Sequence, residues 1–225
     1  MKKIISIAFT LFLMAGLANA QISNDVIKER KKMAKMAQTE LKARSSKVAI
    51  KESKKLAKEG WAIAAGQLPL EKQLDKSYEM QYQYEESGFP KFVFGDAMSP
   101  GKTYDAAKSQ ALILARENLA AQIQAEVTTL VESTVSNEQI SSDDAESVVR
   151  TIQVSKDLIN QSLGRVIPVI ECHRTLPNKS VEVRIVIAYN SKMALDSAKR
   201  AVKAKLEEDG NKLADELDSI WSSLN

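Results

Sequence analysis

The chain is poor in residues that build reactive sites or covalent cross-links. Among its 225 residues there is one cysteine, Cys172, and one histidine, His173. A single thiol cannot form an internal disulfide, so the fold has to be stabilised by packing. Neighbours on a strand point to opposite faces, so this pair predicts neither a catalytic dyad nor a shared metal site. We interpret Cys172 as a small apolar strand residue and His173 as a surface residue.

Aromatic residues and long apolar runs are also scarce. Aromatics make up 5% of the chain, so burial has to rely on Leu, Ile, Val and Ala. The one long apolar run, residues 4–16, follows Lys2 and Lys3 and precedes the small residues 18–20. This pattern predicts a secretory signal peptide that is removed on export. No later run approaches the ~20 residues of a membrane helix, and Gln21 stands where a lipoprotein would carry cysteine. We therefore expect no transmembrane segment and no lipid anchor in the mature chain.

Charge is divided unevenly along the sequence. Residues 21–76 contain 14 Lys and Arg against 7 Asp and Glu, a net +7, whereas residues 77–225 contain 16 against 22, a net −6. We call residues 21–76 the basic front and residues 77–225 the acidic rear. The asymmetry predicts either an anionic partner for the basic front, or docking of the front on the rear within one molecule or between two molecules. Export, and the glutamates among the lysines, argue against nucleic acid as that partner.

The strongest helical periodicity runs over residues 103–135. Apolar residues recur there at steps of three and four and share one face: Ala111, Leu112, Ala115, Leu119, Ile123, Val127, Leu130 and Val131. Thr103 is a plausible N-cap and Asp105 lies in the first turn, where the helix dipole favours negative charge. A second helix is predicted over residues 142–163. Both should cover one face of a sheet.

Three short strands are predicted, over residues 91–94, 165–175 and 180–189. A composition typical of a hairpin turn, Leu176-Pro177-Asn178-Lys179, joins the last two. In the last strand the odd positions from 181 to 187 are apolar, while Glu182 and Arg184 alternate with them, so one side should be buried and the other wetter. Pro168 places the preceding strand at an edge or at a bulge.

These patterns predict an α+β fold with two helices packed on a small, mainly antiparallel three-stranded sheet, and with long N- and C-terminal helices. The N-terminal helix is expected over residues 23–59, with a short helix starting near Pro69. The C-terminal one spans residues 191–224. We divide the chain into a signal peptide (1–20), a basic helical N-terminal extension (21–87), an α+β envelope domain (88–190) and an acidic C-terminal helix (191–225).

Residues 96–103 are the candidate ligand-binding segment of the sequence. Gly101-Lys102-Thr103 lies between a predicted strand and a helix, but the position where a phosphate-binding P-loop needs its first glycine is Asp96. A nucleotide is therefore not expected. The alternative is a small anion bound by Lys102 and Thr103, in a loop over residues 96–103 before the helix N-terminus. The sequence predicts no catalytic residues, no metal ligands and no cofactor.

Part of the chain resembles a known family. The resemblance rests on the runs YDAAKSQA at 104–111, ARENLAAQI at 115–123 and VEVRIVI at 181–187. Residues 90–189 resemble the Lpp-twenty-type domain of bacterial envelope lipoproteins, which implies a short strand, an alanine-rich helix, a second helix and a terminal pair of strands. Residues 58–74 are similar to exported proteins of the Bacteroidetes. Together these resemblances imply a Gram-negative envelope protein without enzymatic activity.

The sequence thus predicts a non-catalytic structural or interaction protein of the cell envelope, in the periplasm or at the periphery of the outer membrane. Its expected partner is an envelope protein, or a second copy joined through basic and acidic helices. The alternative is a periplasmic binding protein or an enzyme that takes a small anionic ligand at residues 96–103.

Overall fold

The computed structural model describes residues 43–136 and 141–210 except Ser87, together with four isolated lysines near the N-terminus. The chain divides into two compact units, Met1–Arg44 and Ser45–Asn225. In the first unit the described lysines are helical and exposed: Lys28, Lys31, Lys32 and Lys35. The predicted signal peptide, sixteen residues of the predicted front helix over 23–59 and the last fifteen residues of the acidic C-terminal segment lie outside the described residues.

The described part of Ser45–Asn225 has six helices and an antiparallel sheet of three strands in the order β1-β3-β2. The predicted α+β fold is confirmed. The elements are α1 (Lys47–Lys58), α2 (Leu70–Gln81), β1 (Phe92–Gly101), α3 (Tyr104–Ser136), α4 (Ser142–Val154), α5 (Lys156–Ser162), β2 (Ile167–Thr175), β3 (Val181–Asn190) and α6 (Ser191–Glu208).

The predicted long helix forms one wall of the main core. Thr103 caps α3, since its Oγ1 accepts a hydrogen bond of 3.3 Å from the Ala106 N–H. The expected apolar face is buried against β1 and β3, with α4, α5 and α6 beside it. The periodicity therefore predicted both the helix and its buried face correctly: Ala111, Ala115, Leu119, Ile123, Val127 and Val131.

Two glycines in β1 let α3 lie unusually close to the sheet. A Cβ built on Gly95 would stand 2.1 Å from the Ala115 carbonyl oxygen, and one on Gly101 would stand 2.6 Å from the Ala107 nitrogen. Because both obstacles are backbone atoms of a helix, no side-chain movement could relieve them. Small residues on both elements thus set the spacing between α3 and β1.

A second layer of helices covers the other face of the sheet. Val186 and Ala188 of β3, on the side expected to be wetter, are buried in a core that includes Leu56 of α1 and Leu74 of α2. The prediction that this side of β3 is the wetter one holds only at the start of the strand, where Glu182 and Arg184 are half-buried. It is wrong at the other end because α2 packs on β2 there. The sheet lies between two helical layers.

Two predicted helices are interrupted by serines. Instead of one helix over 23–59, α1 starts afresh after Ser46, whose Oγ accepts from the Ala49 N–H at 3.1 Å and whose own N–H donates to the Asp75 carboxylate. Instead of one helix over 142–163, α4 and α5 meet at the fully buried Ser155, whose Oγ donates to the Thr151 carbonyl at 2.7 Å. Serine side chains offer the backbone such local alternatives to a continuous helix.

The hairpin and the edge strand agree with the sequence. The Leu176 N–H donates to the Ser180 carbonyl at 2.8 Å and closes the predicted turn. β2 is an edge strand whose register shifts between Pro168 and Ile170, as the proline predicted. β1 is longer than the four residues expected because it pairs with the whole of β3, from Phe92 to Gly101.

Two contacts cover part of the outer edge of β2. The backbones of Ala62 and His173 exchange hydrogen bonds of 2.8 Å in both directions, and the Glu171 N–H donates to Gln73 Oε1 at 2.7 Å. These are the positions whose N–H groups point away from β3. The segment before α2, and α2 itself, thus satisfy this edge.

Candidate functional site

The segment predicted to bind an anion is mostly strand. Residues 96–101 belong to β1, so the expected loop over 96–103 is wrong. The carboxylate of Asp96 is occupied by Arg184, with Nε to Oδ1 at 3.2 Å and Nη2 to Oδ2 at 2.5 Å. Lys102 and Thr103 do lie together and exposed at the start of α3, but Thr103 Oγ1 already caps the helix.

A polar cluster that the sequence did not predict lies between α3, β2 and the loop before α2. We call it the Glu171 cluster; it contains Gln67, Tyr104, Lys108, Glu171 and His173. The hydroxyl of Tyr104 donates to Glu171 Oε1, and Lys108 Nζ lies 2.6 Å from the same oxygen. Gln67 Nε2 donates to the Tyr104 hydroxyl at 3.5 Å.

Secondary structure explains how the cluster is assembled. Tyr104 and Lys108 are four residues apart on α3 and share a helix face, while Glu171 and His173 are two apart on β2 and share a sheet face. The rings of Tyr104 and His173 meet edge to face, with centroids 5.2 Å apart. His173 is therefore half-buried and not the surface residue that we expected, because Tyr104 covers its ring. The cluster joins three elements that are distant in sequence.

The ionisation states in the cluster follow from its contacts. Burial tends to raise the pKa of Glu171, but hydrogen bonds from Lys108 and Tyr104 outweigh it and hold the pKa below the usual 4.5. Burial, and then the hydrogen bond to Glu171, raise the pKa of Tyr104 from 10.0 to about 12. At neutral pH Glu171 is therefore a carboxylate and Tyr104 is a neutral phenol. The carboxylate is already neutralised by its neighbours.

Cys172 lies on the opposite side of the sheet from this cluster. It is 1% exposed in the core beneath α1 and α2. Burial raises the pKa of its thiol to about 11, so the thiolate needed for nucleophilic chemistry is disfavoured. Within the residues that the structure describes, no group of three His, Cys, Asp or Glu is placed to hold a metal ion.

Three of the most exposed aromatic residues in the described part of the chain follow the end of α2. We call residues 82–86 and 88–90 the tongue; Tyr82, Tyr84 and Phe89 are 75%, 59% and 55% exposed. Its backbone is tied into a narrow loop, since Glu85 N–H donates to Phe89 C=O at 2.8 Å and Lys91 N–H donates to Gln83 C=O at 2.8 Å. The aromatic side chains therefore project from an ordered support.

The tongue and the end of α2 are acidic. Glu79, Glu85 and Glu86 are exposed, and the sequence has no Lys or Arg between Lys76 and Lys91. In the sequence, the alternation of Tyr78, Met80, Tyr82 and Tyr84 with polar residues fits a strand, while the four-residue spacing from Leu74 to Tyr78 to Tyr82 favours a helix. In the structure the first two belong to α2 and face inward, while the last two lie beyond it and face outward. A cluster of exposed aromatic side chains is typical of an interaction surface.

A shallow groove of about 280 Å³ lies between α1 and the start of α2. Trp61 lines this groove, and the Arg174 guanidinium stacks over the Trp61 ring, 4.6 Å from its centroid. The groove is open to solvent, and its other lining residues are mostly small or apolar. They include Ser53, Ala57, Ile63, Pro69 and Leu70.

Comparison of the chain with protein families, with curated proteins and with solved structures gives no match. Among the described residues, no helix is both long enough and apolar enough to cross a membrane. The features of the described residues that bear on function are the Glu171 cluster and the tongue.

Proposed function

We propose that this chain is an exported, non-catalytic interaction protein of the Gram-negative cell envelope that uses the tongue as its contact surface. The signal-peptide pattern of residues 1–20 and the resemblance of residues 90–189 to envelope lipoproteins support the location, in the periplasm or at the periphery of the outer membrane. An envelope protein or a second copy of the chain is the proposed partner.

The observation that carries this proposal is the exposure of three aromatic side chains on a hydrogen-bonded loop. Single exposed apolar residues are normal on a soluble protein, but here three large exposed rings stand on one short loop whose backbone is hydrogen-bonded. Tyrosine and phenylalanine have few rotatable bonds, so they bury a large area on binding at a low cost in conformational entropy. Such residues carry much of the binding energy in protein interfaces.

The Glu171 cluster supports the non-catalytic part of the proposal. One oxygen of the Glu171 carboxylate, Oε1, already accepts from Tyr104 and pairs with Lys108. The Glu171 cluster joins α3 to β2 and to the loop that carries Gln67, so its contacts are structural. The thiol of Cys172 is buried as well. These groups stabilise the frame from which the tongue projects.

A site-specific crosslink in the source bacterium tests this function. Tyr84 and, as a matched control, Ile113 of α3 are each replaced by a photo-crosslinking phenylalanine analogue; their side chains are 59% and 57% exposed. We expect a discrete crosslinked product from position 84 in the envelope fraction and none of the same mass from position 113. Equal products from both positions, or none from position 84, would contradict the proposal.

A further inference from the structure

We infer that the tongue binds a lysine- or arginine-rich segment of its partner protein. This inference rests on the proposed function, because it names the partner class of the same surface. It combines the charge of the tongue with the chemistry of its exposed rings.

The first argument is the uncompensated negative charge. Glu79, Glu85 and Glu86 are exposed within eight positions of the sequence. Across the described residues, no ion pair connects any of them to a basic side chain of this chain. Two carboxylates of β2 and β3 are paired, Glu171 with Lys108 and Glu182 with Arg174. A basic partner would complement this surface and would speed encounter.

The second argument comes from the aromatic rings. Two rings of this fold already have a cation beside them: Arg174 stands 4.6 Å above Trp61, and Lys108 lies 5.7 Å from the ring of Tyr104. In the described part of the chain no cation stands over Tyr82, Tyr84 or Phe89. Lys and Arg favour the face of such a ring within about 6 Å. The tongue thus carries exposed aromatic rings together with exposed carboxylates, and both groups favour basic side chains.

Other partner classes fit this surface less well. A nucleic acid or an anionic lipid would meet three carboxylates of like charge. A neutral glycan could stack on the rings but would leave those carboxylates without a counter-charge. A basic polypeptide satisfies the rings and the carboxylates together, and it is the class that we propose.

Binding of short labelled peptides to the purified full chain tests the inference. One peptide alternates lysine and alanine; in two matched peptides glutamine or glutamate replaces every lysine. Fluorescence anisotropy is measured at about 0.01 M and 1 M salt, between which the Debye length falls from ~30 Å to ~3 Å. We expect the lysine peptide alone to bind, and its affinity to fall at high salt.

Variants of the tongue assign the binding to that surface. Glu85→Gln/Glu86→Gln removes charge and Tyr84→Ser/Phe89→Ser removes the rings; each should weaken binding of the lysine peptide about tenfold, the effect of losing one or two exposed contacts. Glu59→Gln/Glu207→Gln and Ile113→Ser are the matched controls, because those side chains are also exposed but lie elsewhere. The controls should bind like the unchanged chain, and all variants should unfold at the same temperature.

Three results would overturn the inference: equal binding of the glutamine peptide, binding of soluble cell-wall glycan fragments without binding of the lysine peptide, or tongue variants that bind like the controls. If the crosslink from position 84 persists in the envelope while the lysine peptide fails to bind, the basic partner class is wrong and the proposed function stands. If both fail, both are wrong.

Discussion

Gly95 of β1 lies directly beneath Ala115 of α3, so close that a Cβ on Gly95 would come within 2.1 Å of the Ala115 carbonyl oxygen. The next obstacle is Leu119 Cβ, at 2.8 Å from the same point. The position of α3 on the sheet therefore depends on a hydrogen atom where every other residue has carbon. Any methyl group at Gly95 has to push the helix away from β1.

Gly95→Ala should lower the free energy of unfolding by about 1–3 kcal/mol, because the strain of overpacking falls on backbone atoms. Urea unfolding followed by circular dichroism measures the change. The matched control is Gly164→Ala, whose added Cβ would stand 3.5 Å from the Tyr189 hydroxyl, an ordinary contact. A loss as large in the control would show that the close approach of α3 is not the cause.

Glu171→Gln should lower stability at neutral pH by about 1–3 kcal/mol, the range for losing hydrogen bonds to a charged group. The folded chain holds the pKa of Glu171 below 4.5, so this stabilisation is present above pH 4.5 and is lost as the pH falls through the folded pKa. The stability difference between the two proteins should therefore shrink in acid.

Urea unfolding at a series of pH values checks this dependence. Glu146→Gln is the control, since Glu146 forms an exposed ion pair with Arg150 at 2.7 Å that should contribute little. Parallel stability curves for the unchanged chain and Glu171→Gln, from neutral pH into acid, would refute the role assigned to the carboxylate.

Tyr104→Phe should remove one late-titrating phenol from the folded protein. The pKa of Tyr104 is raised from 10.0 to about 12, so the stability it contributes is present below pH 10 and is lost as the pH rises through about 12. Ultraviolet absorbance of tyrosinate records the titration, and the difference between the two proteins isolates Tyr104 from Tyr78, whose pKa burial also raises. A difference curve with its midpoint at the ordinary tyrosine pKa of 10.0 would contradict the assignment.

Cys172 should resist thiol reagents in the native state near neutral pH. Its side chain is 1% exposed and its pKa is raised to about 11, so both access and thiolate are limited. In urea one thiol per chain should react at once. Rapid labelling of the native protein, at the rate seen in urea, would mean that the core under α1 and α2 opens easily.

The sequence predicted the elements whose signal is local. The four-residue spacing from Ala111 to Val127 identified α3 and its buried face, and the composition of residues 176–179 identified the hairpin. Pro168 marked the bulge because a proline cannot donate to the ladder. Each of these features depends on residues that are close in sequence.

The features that the sequence missed depend on distant contacts. α1 buries Ala49 and Leu56 among many lysines, too thin a face to predict a second helical layer. The Glu171 cluster joins residues of α3, of β2 and of the loop before α2, and no spacing rule connects these three elements. In the tongue, Tyr82 and Tyr84 suited both a helix and a strand, so only the structure shows that their rings are exposed.

The partly covered edge of β2 affects where another strand could pair with the sheet. Ala62 and Gln73 occupy the outward N–H groups of His173 and Glu171, whereas β1 has no strand on its outer side among the described residues. Among the described residues β1 is therefore the more open edge, although Asn118 Nδ2 donates to the Asp96 carbonyl of β1 at 2.8 Å. Two copies meeting there head to head would form one six-stranded sheet whose outer edges are both partly covered, which would oppose growth of the association into a fibre.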